Sequence, residues 1–294
     1  MDGYASGIIT LLAVNCIAAL GVSLFTGFTG IFTLGHAGYM AIGAYTTAIL
    51  SVQYGLHWLP AILAGGVLAM FFAYLIGIPT LKLVGDYYTI ASLGLGEAIR
   101  LIIENWNSVT RGARGYPGID NYTTMPIAIG FLVVMAIAMF FLVNSNFGRA
   151  FKACRDDYVA ASLLGFNTAR YRVFSLAISG FYCGVSGALL AGFMSFIQPV
   201  MFDMAKSTEL VSIVVFGGLG SMSGCLIGTT ILTLVTELFR PISQYRMLIY
   251  GLVLVLVMVL RPEGIMGTNE LTPRFIKSLF SRKKMTGEAK EKAQ

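Results

Sequence analysis

The sequence predicts an all-α, polytopic transmembrane bundle of about nine crossings (eight to ten), N-terminus outside and C-terminus inside, with a short amphipathic helix on the inner face. Three observations carry that prediction. Only 12% of the 294 residues are charged against 56% hydrophobic, and the mean hydropathy is +0.78; that is about half the charge of an ordinary soluble domain. The apolar runs are continuous and close to the roughly 20 residues a spanning helix needs, whereas a membrane barrel would show short alternating segments. The Lys and Arg residues are also unevenly placed. Lys82, the cluster between 146 and 172 and the tail from Arg261 onward fall on one side, while Arg111, Arg114, Lys206, Arg240 and Arg246 fall on the other and Arg100 lies within a run. The richer side is cytoplasmic by the positive-inside rule. The same clustering at membrane edges accounts for the net charge of +6 without a nucleic-acid partner.

The candidate crossings are residues 5–26, 36–52, 59–78, 88–104, 126–144, 172–192, 207–217, 223–239 and 246–260, the seventh being short for a span. No hydrophilic stretch between them is long enough to fold alone, so residues 1–267 read as one membrane domain. The charged, apolar-poor tail 268–294 is expected to be disordered and held near anionic lipid. The N-terminus carries only Asp2 as an early charge and lacks the basic start of a cleaved signal, so it is expected to remain as the first span.

The second crossing is entered through GFTGIFTLGHAGYMAIGAY, with Gly27, Gly30, Gly35, Gly38 and Gly43 among Thr and aromatic residues. Such glycine density means close helix packing or non-helical backbone beside protein or water, and hence a possible pathway lining. His36 within it reads as an imidazole bonded to nearby backbone rather than a proton relay. Before the fourth crossing Asp86 is placed as an N-cap. Glu97 and Arg100, three apart on that helix, are expected to pair and so reduce the cost of burying either charge. The loop 105–125, with Trp106, Arg111, Arg114, Tyr116, Pro117 and Asp120, is either a docking surface for an extracytoplasmic protein or a cap.

The stretch 146–172, NFGRAFKACRDDYVAASLLGFNTARYR, is the long charged segment inside the apolar chain. Gly148, Arg149, Ala150, Lys152, Arg155, Asp156, Ala160, Ala161 and Leu164 alternate so that one helix from about Arg149 carries an apolar stripe opposite a charged face. Gly165 stands where a left-handed helix stop belongs. Such a helix fits a groove on a soluble partner, or else lies in the interface with none. Beyond it, Gly184, Ser186, Gly187 and Gly192 form a second close-packing signature, Pro199 marks a break, and Gly217, Gly218, Gly220 and Gly224 a tight inner turn. The GGLGS run there lacks the Lys of a phosphate-binding loop. Cys16, Cys154, Cys183 and Cys225 have no ligand spacing and read as small apolar residues. No triad, HExxH motif, haem or metal ligand pair appears, so an enzyme, a metal site and a cofactor are all unexpected. No chain of carboxylates exists to couple an ion gradient; energy for uphill transport would come from a partner.

Five ordered blocks carry a resemblance: GFTGIFTLGHAGYMAIGAYT, GDYYTIASLGLGEAIRL with the following NW, GRAFKACRDDYVAASLLGFN, VVFGGLGSMSGCLIGTTI and RPEGIMG. Over roughly residues 14 to 267 the chain resembles the permease subunits of bacterial branched-chain amino-acid ABC importers, and the GDYY segment favours the M-type over the H-type subunit. The resemblance implies a multi-pass protein of the bacterial cytoplasmic (inner) membrane. It implies partnership with a second, H-type-like permease, two cytoplasmic P-loop ATPases and an extracytoplasmic substrate-binding protein, with 146–172 as the segment that couples to the ATPase. Ala160, Ala161 and Gly165 keep the spacing of the importers' Glu-Ala-Ala-x-x-x-Gly signature, with Val159 in the Glu position; Cys225 stands where relatives commonly have Pro. The lining candidates under this reading are Gly35, His36, Gly38, Tyr87, Tyr88, Gly94, Glu97, Gly217, Gly218, Gly220 and Ser221. A permease for urea, short amides or another small solute is the nearest alternative, and a standalone secondary carrier or membrane scaffold the alternative of a different class.

Overall fold

The structure is a computed structural model that describes residues 2–83 and 85–238, with 251, 255, 264 and 267. Most of the expected ninth crossing, Arg240 and Arg246, and the tail from 268 lie outside the described residues. The chain folds as α1 (Asp2–Val22), continued by a π-helical turn Ser23–Phe28, then α2 (His36–Val52), α3 (Trp58–Thr80), α4 (Asp86–Asn105), the single turn α5 (Asn107–Thr110), α6 (Met125–Asn144), α7 (Asn146–Asp156), α8 (Tyr158–Leu163), α9 (Thr168–Met194), α10 (Met204–Gly217) and α11 (Met222–Leu238). Two residues of the 105–125 loop, Tyr116–Pro117, pair antiparallel with Phe196–Ile197 and tie the α5–α6 loop to the end of α9. The first eight apolar segments are thus helical over their described residues. Among the described residues, four helices are long and apolar enough to cross a membrane: Gly3–Phe28, Trp58–Thr80, Met125–Asn144 and Thr168–Met194.

The axis of the bundle is α9, which packs on α1, α2 and α3. Its small residues let backbones touch. A Cβ on Gly43 of α2 would collide with the Gly184 carbonyl of α9, and one on Gly187 with the Met40 carbonyl, an approach that only glycine permits and that drives association where lipid removes the hydrophobic incentive. The faces of α3 and α6 turned away from this core carry Val67, Phe71, Leu75, Val134 and Phe141, each more than half exposed. Such apolar exposure is unfavourable in water and natural against acyl chains.

Three local expectations are corrected. Asp86 is the first helical residue of α4, and Gly85 (φ 62°) takes the cap position; the carboxylate therefore acts on the helix dipole instead of capping an amide. The amphipathic segment is two helices instead of one, because Asp157 is extended (φ −156°, ψ 109°) and ends α7. The seventh run starts three residues earlier than its hydropathy indicates. Asp203 caps α10 by accepting the Lys206 N–H at 3.0 Å, which draws Lys206, expected in a loop, into the helix, where Glu209 (3.2 Å) and Asn15 of α1 (3.2 Å) receive its ammonium.

Candidate functional site

The α7–α8 segment is built in two unequal parts. Ser145 starts α7 by accepting the Phe147 N–H at 3.2 Å, a standard cap. Gly148, Ala150, Phe151 and Cys154 are buried against the bundle, and Gly148 lies so close that a Cβ would strike the Val143 carbonyl. Arg149 turns outward to Asn146. Burial pushes the Cys154 thiol up, which favours the protonated, less nucleophilic form at neutral pH.

At Asp157 the chain turns, and its carboxylate accepts the amides of Val159 (2.8 Å) and Ala160 (3.1 Å) to start α8. Here the packing reverses: Ala161 alone in α8 is buried, while Tyr158, Val159 and Leu163 are open to solvent, as is Leu164 just beyond. Leu163 is 83% and Leu164 78% exposed. The helix stops at Gly165 in the left-handed region (φ 88°), as its sequence position requires; the Phe166 amide reaches back to the Ala161 carbonyl at 3.1 Å. The segment therefore presents an anchored helix, α7, and a short projecting one, α8, with an exposed apolar face on which Tyr158 has the Arg172 guanidinium 5.8 Å over its ring.

The pathway candidates divide. Gly35, His36 and Gly38 are buried at the start of α2. Gly35 lies against the Ser92 carbonyl, and Gly38 against Gly96. His36 is bonded to the Ser179 hydroxyl of α9 at 2.6 Å through Nε2, because α9 packs along α2. Removing that partner strands a buried imidazole nitrogen, so Ser179→Ala is expected to cost about 1–3 kcal/mol, read as a lowered melting midpoint in detergent; an unchanged midpoint would show that the bond contributes nothing.

On α4, Tyr88 is buried beside Phe25, with ring centroids 5.9 Å apart, whereas Tyr87, 76% exposed, and Gly94 lie on open faces. Glu97 pairs with Arg100 as expected (2.7 Å), and Arg100 also holds Glu104 (2.7 Å). The second Glu97 oxygen accepts the Met204 amide at 3.0 Å, so this carboxylate joins α4 to the N-terminus of α10, where the helix dipole favours it. Gly217 ends α10, Gly218 (φ 118°) and Gly220 (φ 88°) make the bend, and Ser221 accepts the Gly224 amide at 3.1 Å as α11 begins. The two glycine-rich bends meet: a Cβ on Gly27 would touch the Gly220 amide.

Two features lay beyond sequence reasoning. Asn15 interrupts an otherwise apolar run, a visible signal, and serves as the buried acceptor for Lys206. Arg155, placed among the surface charges of α7, instead reaches Gly27 of the first bend; nothing local in the sequence announces a contact 128 residues away.

The chain matches, over residues 4–259, the family model described as "Branched-chain amino acid transport system / permease component". It is 31% identical to the high-affinity branched-chain amino acid transport system permease protein LivM of Escherichia coli (strain K12), and 30% to that of Salmonella typhimurium, covering in both cases 88% of this chain and 69% of the relative. It is 27% identical to the LivH permease protein of Escherichia coli (strain K12), over 90% of this chain and 94% of that protein. No solved structure matches.

Proposed function

Because the chain belongs to the family of permease components of branched-chain amino acid transport systems, we infer that it is the transmembrane permease subunit of an ABC importer that moves Leu, Ile or Val. The greater likeness to LivM than to LivH relatives supports an M-type subunit working beside an H-type partner. Nine crossings of residues 1–267, N-out and C-in, place α7 and α8 at the cytoplasmic face of the inner membrane, with 268–294 as a cytoplasmic tail.

The observation that carries the coupling role is the open apolar face of α8, Tyr158, Val159, Leu163 and Leu164. A short helix projecting from an anchored one, capped at both ends, fits the helix-in-groove mode of recognition, and its occupant is a P-loop ATPase. Val159 at the Glu position offers no salt bridge, so this contact is apolar. Closure of two ATPases on ATP would displace α7 and α8, rock the paired permeases and alternate access to a path beside Gly35, His36, Gly38, Tyr88, Glu97 and the bend Gly217–Ser221. ATP hydrolysis resides on the partners, and an extracytoplasmic binding protein delivers substrate. Radiolabelled leucine uptake into vesicles of known orientation tests this. Uptake is expected to require ATP and binding protein and to persist when ion gradients are dissipated; gradient-driven uptake without ATP would support a standalone carrier instead.

A further inference from the structure

We propose that Arg155 is the positioning residue that fastens α7 to both glycine-rich bends, so that displacement of the coupling segment reaches the two bends together. The proposal deepens the coupling reading above and rests on it.

The guanidinium is shared between one backbone carbonyl and one carboxylate. Its Nη1 donates to the Gly27 carbonyl at 3.3 Å, while Nε and Nη2 both donate to Asp156 Oδ1 at 3.2 Å. Asp156, largely exposed, thus holds one edge of the planar fork and leaves the other aimed at the bend, a division an ammonium is unable to reproduce. On the far side, a Cβ at Gly220 would overlap Nη1, and one at Gly30 would overlap the Arg155 stem. These two glycines therefore make the crevice that admits the side chain, besides supplying their positive φ of 88° and 76°.

Electrostatics favours the same seat. Gly27 lies in the last turn of the first span, where helix carbonyls collect partial negative charge. A second cation of α7, Lys152, one turn before Arg155, stands 5.6 Å over the Phe28 ring and grips the same π-helical turn. Each bend leads directly to a helix, the first to α2 and the second to α11. The bends also touch each other at Gly27 and Gly220. Through one side chain, then, α7 bears on the end of the first span and on the bend that leads into α11. An exposed charge of a docking helix needs none of this burial.

The test uses the complete importer in proteoliposomes, with ATPases and binding protein, carrying Arg155→Met or Arg155→Lys. Three quantities are read: ATPase retained per permease, substrate imported per ATP hydrolysed, and the rate at which N-ethylmaleimide alkylates Cys154, which α7 buries. With Arg155→Met, retention is expected to stay at the wild-type value, import per ATP to fall roughly tenfold, and Cys154 to label faster as α7 loosens. Arg155→Lys should fall between Met and wild type. Wild-type import per ATP in Arg155→Met overturns the proposal, and so does loss of ATPase retention, which would make Arg155 a docking residue. If Arg155→Met does not accumulate, Arg155→Lys decides, since unchanged import per ATP there overturns it equally. A wild-type permease that retains no ATPase would defeat the coupling reading itself, an outcome distinct from failure of the latch.

Discussion

Gly43→Val is expected to eliminate the folded permease. Gly43 stands where three helices converge: a side chain there would meet the Gly184 backbone of α9, and the Gly43 carbonyl lies against Gly65 of α3. That carbonyl also accepts the Thr47 hydroxyl at 2.9 Å, and the same hydroxyl reaches Ala61 of α3 at 3.1 Å. The obstacles are backbone atoms, unable to swing aside as a flexible side chain would, so the helices would have to separate along their length. Overpacking of a fitted core costs about 1–3 kcal/mol, occasionally more, and a rigid backbone obstacle belongs at the upper end or beyond. The check is the monodisperse yield and melting midpoint of the detergent-extracted variant. Gly130→Ala in α6, where the position is exposed with no neighbour within 4 Å, serves as a control and should leave both unchanged or slightly raised, since alanine is the better helix former. Wild-type yield from Gly43→Val would contradict the seating of α2 on α9.

Leu163→Glu combined with Leu164→Glu is expected to abolish ATP-driven uptake while leaving the permease folded. Both side chains are largely open, so their replacement removes little packing within this chain, and surface substitutions of this kind change stability little. In a groove on the ATPase, by contrast, two buried apolar anchors would be replaced by two carboxylates needing desolvation. Losing two anchors of about 2 kcal/mol each weakens association on the order of a thousandfold. The measurement pairs uptake with size-exclusion of the purified variant. Folded protein without uptake is the expected pairing; undiminished uptake would remove α8 from the coupling role. Ala161 is a poorer test site, because it is buried and a charge there would disturb the loop itself.

What could be read from the sequence follows from the range of the interactions involved. Long apolar runs bounded by glycine, proline and charge gave helices close to their observed limits, as with α2 at 36–52, because hydropathy and stop residues are local. Gly165 took its left-handed conformation for the same reason. The break at Asp157 was equally local: an aspartate followed by a short apolar run is a start signal, overridden in the reading by the amphipathic period that runs through it. Lys206 was misplaced because hydropathy counts its charge as exposed, whereas Asn15, Glu209 and the Asp203 cap absorb it. The His36–Ser179 bond, 143 residues apart, and the seat of Arg155 between two bends arise from packing, and no periodicity in the chain encodes them. Of the pathway candidates, the sequence grouped Tyr87 with Tyr88 although adjacent helical residues face differently, and the structure separates them into an open and a buried position.

The most direct measurement is purification of the tagged chain from its native membrane in mild detergent, with mass spectrometry of whatever accompanies it. Two P-loop ATPase subunits and a second, related permease in near-stoichiometric amounts are the expected result and would establish the importer assembly. A chain that purifies alone from membranes in which those proteins are present would contradict the assignment of α7 and α8 to ATPase coupling and point to a standalone carrier or scaffold.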